Sequence, residues 1–191
     1  MTGYKKKDIE RSLEVLHKGG IILYPTDTIW GLGCDATNQL AVQKIYDIKK
    51  RADSKNMLIL IDNETRLPQY ISVIPEVAWE LIEAADNPLT IIYPGSKNLA
   101  ANLLSDDGSV GIRIVRDKFC EELIRRFRKP LVSTSANISG ANAPANFDEI
   151  TPEVKNRVDY IVEWRQEEKK KKTASSIIKL GLGGEFKILR R

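Results

Sequence analysis

The stretch at residues 20–36, G-I-I-L-Y-P-T-D-T-I-W-G-L-G-C-D-A, constrains this chain more than any other. It opens on a continuous apolar run, 21–24, which reads as a buried strand. Pro25 has no N–H to offer a ladder, so the strand stops there. Thr26, Asp27 and Thr28 follow as a short polar turn. Gly31 and Gly33 then permit backbone conformations or close approaches closed to other residues. Polar side chains at the end of a buried strand, followed by glycines, suit the presentation of groups to a small ligand. The plainer alternative is an ordinary strand and loop built from turn residues.

Elements of both kinds alternate around this stretch. Residues 8–18 read as a helix with Ile9, Leu13 and Leu16 on one face, ended by Gly19 and Gly20. Asn38 is placed to cap a second helix reaching about residue 50, with Leu40, Val42, Ile45 and Ile48 as its apolar positions. Pro75 opens a third helix, whose buried side is expected to carry Ile74, Ala78, Leu81, Ile82 and Ala85. Residues 119–127 look helical as well. Strands are expected at 57–61, 89–93, 110–115, 131–133, 160–162, 176–180 and 186–189. This interleaving predicts an α/β fold around a mostly central sheet. With no internal repeat and no linker, residues 1–191 are expected to form one domain.

No apolar run approaches the ~20 residues that span a bilayer. The basic N-terminus leads into an amphipathic segment rather than a signal-peptide core, so a cytoplasmic protein without membrane contact is expected. Cys34 and Cys120 are then expected as free thiols. The net charge of +4 suits an anionic partner, a nucleotide or RNA. The biased segment 165–172, R-Q-E-E-K-K-K-K, reads as a solvated, mobile loop.

Several chemistries find no residues here. There is no G-x-x-x-x-G-K-[ST] loop to cradle phosphates. His17 is the one histidine, on a predicted helix far from the other motifs, so a Ser-His-Asp triad and a His/Cys zinc site are both disfavoured. Catalysis has to rest on charge placement and positioning. Lys49, Arg51 and Lys55 set three cations at a helix end and the loop after it, where they either complement the helix dipole or meet phosphates. The run S-T-S-A-N-I-S-G at 133–140 follows a strand and is dense in hydroxyls and amides, fit either for a turn or for phosphate, ribose or an amino acid. Arg113 stands in the middle of an apolar strand, where its charge needs solvent, a partner or an anionic ligand.

P-T-D-T-I-W-G-L-G-C-D-A closely resembles the signature of the YrdC-like family, the threonylcarbamoyl-adenylate synthases. The segments at 49–55 and 133–140 resemble that family's K-x-R-x-x-x-K and S-x-N elements, in the same order, and the likeness runs over nearly the whole chain. It implies an open twisted mixed sheet with flanking helices and a basic concave cleft. It implies synthesis of L-threonylcarbamoyl-adenylate from L-threonine, bicarbonate or carbon dioxide, and ATP, with pyrophosphate released. The product would feed downstream tRNA-modifying proteins. By the match to the family's positions, Thr28, Arg113, Ser133 and Ser175 would hold threonine. Arg51, Lys55, Ser109, Ser135, Asn137 and Arg190 would hold ATP, and Lys49 and Arg51 would serve catalysis at the phosphates. Magnesium would ride with the triphosphate, with no protein-held metal.

Two positions depart from the family. Asn56 stands where relatives usually have proline, and Leu60 where they often have a histidine near the threonine site. Leu60 therefore raises a related enzyme that adenylates a different carbamate. A non-catalytic RNA-binding module is the other alternative, and direct RNA contact is left open. The chain ends at Arg191 and is expected to be a short form without the extra C-terminal domain of longer relatives.

Overall fold

The computed structural model describes residues 6–50, 57–169 and 172–191. In chain order the elements are α1 (Lys6–His17), β1 (Ile22–Tyr24), β2 (Gly31–Gly33), α2 (Gln39–Lys49), β3 (Leu58–Ile61), α3 (Leu67–Tyr70), α4 (Glu76–Ala84) and β4 (Leu89–Tyr93). They continue with β5 (Val110–Ile114), α5 (Lys118–Phe127), β6 (Leu131–Ser135), α6 (Pro152–Lys155), β7 (Tyr160–Ile161), β8 (Ser176–Leu180) and β9 (Phe186–Arg190). Short polar side chains write the helix starts. Asn38 Oδ1 accepts the N–H groups of Leu40 and Ala41 at 3.0 and 3.1 Å. Asp117 Oδ1 does the same for Phe119 and Cys120 at the start of α5. Such caps contribute about 1 kcal/mol each.

The described strands form one mixed sheet in the order β7-β1-β2-β6-β3-β5-β4-β8-β9. β3 and β5 run parallel at its centre, with Leu60 opposite Arg113. Helices flank the sheet, but unevenly. One face is packed by α2 and neighbouring segments: Leu23, Leu32, Ile59, Ile91, Ile112 and Val132 meet Val42, Ile45 and Ile48 there. On the other face α1 and α5 cover only one part, where Ile22, Tyr24, Leu60 and Leu131 pack against Ile9, Leu16, Phe119, Leu123, Ile124 and Phe127. The rest of that second face is open, and the cleft described below occupies it.

The sequence signals and the fold differ in a few places, each with a physical reason. The G-L-G segment is a strand, β2, which the sequence did not mark as one. Its glycines serve close approach: a Cβ on Gly33 would lie 2.5 Å from Cε1 of Tyr24. One on Gly31 would lie 3.2 Å from Oγ of Ser133 and from the carbonyl oxygen of Thr134. Leu40, expected on the apolar face of α2, is 78% exposed, because the buried face runs through Ala41, Val42, Ile45 and Ile48 instead. In α4 only Ala78 is fully buried. The helix stands off the sheet over a cavity of about 190 Å³, whose lining includes Ile82, Ala85, Leu89, Ile91, Ile112 and Ile114. Both cysteines are buried free thiols, and His17 is exposed beside Phe127.

Candidate functional site

The open part of the second face is a cleft of about 430 Å³. Its floor comes from alternate residues of five neighbouring strands: Gly31 of β2, Ser133 and Ser135 of β6, Leu58 of β3, Arg113 of β5 and Ile92 of β4. Side chains alternate across a strand, so this set shares one face while its neighbours serve the core. The missing side chain at Gly31 opens the floor beside the Ser133 hydroxyl. Thr28 and Trp30 form one wall, and Ser175, Leu189 and Arg190 the other.

Of the residues marked by the family likeness, the fold brings Thr28, Arg113, Ser133, Ser135, Ser175 and Arg190 together around this cavity. The hydroxyls are set by local bonds. Thr26 Oγ1 donates to the carbonyl of Ile29 at 2.8 Å and accepts the N–H of Thr28 at 3.0 Å. With its one hydrogen used, it can only accept from Thr28 Oγ1, 2.9 Å away. The Thr28 hydroxyl is thereby oriented, with its lone pairs free for a donor. Across the cleft, Arg190 Nε donates to the carbonyl of Ser175 at 2.7 Å, and the Ser175 and Thr90 hydroxyls bond at 2.7 Å. Burial, and then the charge of Arg113, press the Arg190 guanidinium below its ordinary pKa. Two arginines thus converge on one cavity and stabilise any anion placed between them.

Lys49 lies behind the cleft, 3% exposed. Its ammonium donates to the carbonyls of Ser135 and Asn137 at 2.7 and 2.8 Å. Its own carbonyl accepts the N–H of Ser139 at 3.0 Å. The residue clamps the 135–139 loop from both ends. Asn137 Nδ2 donates to the carbonyls of Ile138 and Ala141, which shapes the same loop. Ser109 shares the strand face of Gly111 and Arg113 but does not line the cavity; its hydroxyl donates to Asp107 at 2.6 Å. Arg51, Lys55 and Asn56 lie outside the described residues. Leu60 is fully buried under α5 in the second core and does not line the cleft.

Two features went unread in the sequence. Asp27 supplies the counter-charge of Arg113, with Oδ1 at 3.1 Å from Nη2. The requirement that a mid-strand guanidinium be compensated could have pointed to it. In the 165–172 segment, Arg165 and Lys172 are also tied to the body of the fold, where a solvated loop was expected. Arg165 pairs with Asp117 at 2.7 Å and donates to the Thr26 carbonyl at 3.3 Å. Lys172 donates to that same carbonyl at 3.2 Å. Lys169 stays exposed and pairs with Asp148; Lys170 and Lys171 lie outside the described residues. Among the described residues no cluster of three or more His, Cys, Asp or Glu could hold a metal. None of the described helices is long and apolar enough to cross a membrane.

Comparison with known proteins agrees with this architecture. The Sua5/YciO/YrdC family model, described as Telomere recombination, matches residues 14–191. Threonylcarbamoyl-AMP synthase of Pseudoalteromonas translucida is 32% identical over 158 residues, covering 81% of this chain and 84% of the relative. The protein of the same name from Vibrio cholerae is 29% identical over 160 residues, covering 82% and 85%. Among solved structures, E. coli YciO superposes with a TM-score of 0.83 at 24% identity, covering 98% of this chain and 90% of that one. P. abyssi Sua5 complexed with L-threonine superposes at 0.82 and 24% identity, covering 92% of this chain and 52% of that one, about half its length. With a family model spanning nearly its full length and a relative at 32% identity over most of both chains, this chain belongs to the Sua5/YciO/YrdC family.

Proposed function

We propose that the chain is an L-threonylcarbamoyl-adenylate synthase, a nucleotidyltransferase that uses L-threonine, bicarbonate or carbon dioxide, and ATP. The observation that carries this reading is the convergence of Arg113 and Arg190, with the hydroxyls of Thr28, Ser133, Ser135 and Ser175, on one cleft. Two guanidiniums and four hydroxyls suit a ligand set rich in carboxylate, phosphate and ribose oxygens. The names of the curated relatives and the threonine complex of P. abyssi Sua5 support the same assignment.

In this reading Arg113, Thr28, Ser133 and Ser175 receive the amino acid. Its free amine captures carbon dioxide as a carbamate, with loss of one proton. A carbamate oxygen then attacks the α-phosphorus of ATP, and the bond to the pyrophosphate oxygen breaks. Arg190, Ser135 and Asn137 serve the nucleotide, with Ser109, Arg51 and Lys55 assigned to it by likeness to the family. Magnesium arrives as part of the nucleotide substrate. Lys49 acts at one remove, by holding the 135–139 loop. The cleft fixes the reactants, and charge stabilisation by preorganised donors supplies the rest. The product would pass to tRNA-modifying proteins in the cytoplasm.

The departure from the family pattern at Leu60 raises a second reading, a paralogue that adenylates another carbamate, although Leu60 is buried under α5 and does not line the cleft. One experiment separates the readings: bicarbonate-dependent pyrophosphate release from ATP, screened over several amino acids. Threonine as the preferred substrate supports the first, and another amino acid the second. Absence of release with every amino acid, combined with salt-dependent RNA binding, would replace both with a binding module.

A further inference from the structure

A guanidinium in the middle of β5 needs a counter-charge, and Asp27 provides it through an incomplete contact. The side chains are 4% and 10% exposed, and Nη2 lies 3.1 Å from Oδ1. The contact is not aligned as a hydrogen bond. Both carboxylate oxygens of Asp27 and Nε of Arg113 are buried without a hydrogen-bond partner. Arginine and carboxylate readily form two parallel bonds, and this pair has not done so. A donor without an acceptor therefore stands beside acceptors without a donor, in surroundings where each unmatched group bears its full desolvation.

Arg113 lines the cleft, while Asp27, in contact with its guanidinium, lines the cavity under α4 and not the cleft itself. A carboxylate bonded to the free Nε comes within reach of Asp27, because the same guanidinium already touches it. A ligand that satisfies both partners carries a carboxylate and a cationic nitrogen close together, as an α-amino acid does. Tyr24 and Cys120 are buried near the pair, and burial raises both, so they stay protonated and add no charge. A plain carboxylate anion brought to Arg113 would meet the like charge of Asp27 with no cationic group of its own to offset it.

We propose that Asp27 reads the ammonium group of the substrate while Arg113 reads its carboxylate, so that the pair selects α-amino-acid zwitterions over simple carboxylic acids. This assignment rests on the reading of the cleft as an amino-acid site. It predicts that full-length wild-type protein binds L-threonine at least about tenfold more tightly than 3-hydroxybutanoate, the same molecule with hydrogen in place of the ammonium group. In Asp27→Asn that ratio falls close to one, while ATP affinity changes little. Calorimetric titration of the three ligands into both proteins measures it. An unchanged ratio in the variant overturns the proposal. So does an equal loss of affinity for both acids, which would make Asp27 a positioning residue for Arg113 only. Should Asp27→Asn fold poorly, Asp27→Ser repeats the test, and equal binding of the two acids by wild-type protein overturns it with no variant at all. If wild-type protein binds ATP but no amino acid, the amino-acid reading itself fails. If threonine drives pyrophosphate release while the ratio ignores Asp27, only the present proposal fails.

Discussion

The two arginines of the cleft come from opposite kinds of structure. Arg113 is in a central strand, paired on both sides and 3% exposed. Arg190 is on β9, the edge strand, where every residue is exposed. Arg113 is held by packing and a counter-ion, whereas Arg190 is held mainly by bonds to Ser175. One end of the cleft is rigid and built into the core. The other is an edge strand that can yield with little disturbance of the core, because every residue of β9 is exposed. A small amino acid suits the rigid end, and a nucleotide, larger and arriving with its metal, suits the yielding one.

Breaking the rigid end has the largest expected effect. Arg113→Ala removes one member of a buried pair and leaves Asp27 uncompensated, a loss of about 3–5 kcal/mol in stability. Threonine affinity falls roughly tenfold to a hundredfold, the worth of a charge-assisted hydrogen bond. Arg113→Lys recovers part of each, since lysine keeps the charge but loses the planar fork. Denaturant unfolding and calorimetric titration measure the two losses, and ATP affinity serves as the control. Equal weakening of both ligands would erase the contrast between the two ends.

Lys49→Met comes next. It strips the donor from the carbonyls of Ser135 and Asn137. The expected cost is about 1–3 kcal/mol. Faster amide exchange should appear at residues 135–141, together with slower ATP turnover. Slower turnover with unchanged exchange would instead place the lysine directly on the phosphates. Arg190→Ala, on the exposed strand, should leave the melting temperature nearly unchanged. It should raise the ATP requirement about threefold to tenfold, a partly solvated charge being worth less than a buried one. A large thermal loss there would show the hairpin to be as integral as the centre.

The smallest effect concerns the tie that pins the hairpin. Lys179 of β8 bonds Asp107 at 2.6 Å. That bond and those from Ser109 lower the Asp107 carboxyl to about 2. A folded pKa below the unfolded value of about 4 contributes stability above pH ~4, lost as pH falls toward ~2. The pair is exposed, so the contribution stays under about 1 kcal/mol. Asp107→Asn should flatten the acid limb of the stability curve in that window and leave neutral-pH stability within that margin. An unaltered acid limb would remove the tie from the comparison.

The strands were legible wherever apolar runs were unbroken, as at β1 and β3. β2 was not, because G-L-G has no strand propensity and its need for glycine comes from Tyr24 and Ser133 on neighbouring strands. Arg113 was conspicuous as a charge among apolar neighbours, yet its partner was not, since Asp27 belongs to a turn remote in sequence. Lys49 shows the converse. Its spacing to Arg51 suggested phosphate, and the fold spends its ammonium on two carbonyls that no local pattern announces. The apolar period of α4 overstated its burial because a period reports which face turns inward, not how closely the sheet below approaches.

The assembly of the cleft from Thr28, Arg113, Ser133 and Arg190 also fixes the order in which it can come into being. Synthesis proceeds from the N-terminus, and contacts between distant segments form only once both are free of the ribosome. The central strands and Asp27 emerge early, so Arg113 can be set beside its counter-charge while the chain is still growing. β8 and β9 emerge after them, and β8 must return to pair with β4. A nascent chain therefore acquires Arg113 before Arg190, and the cleft is complete only when the final hairpin has docked.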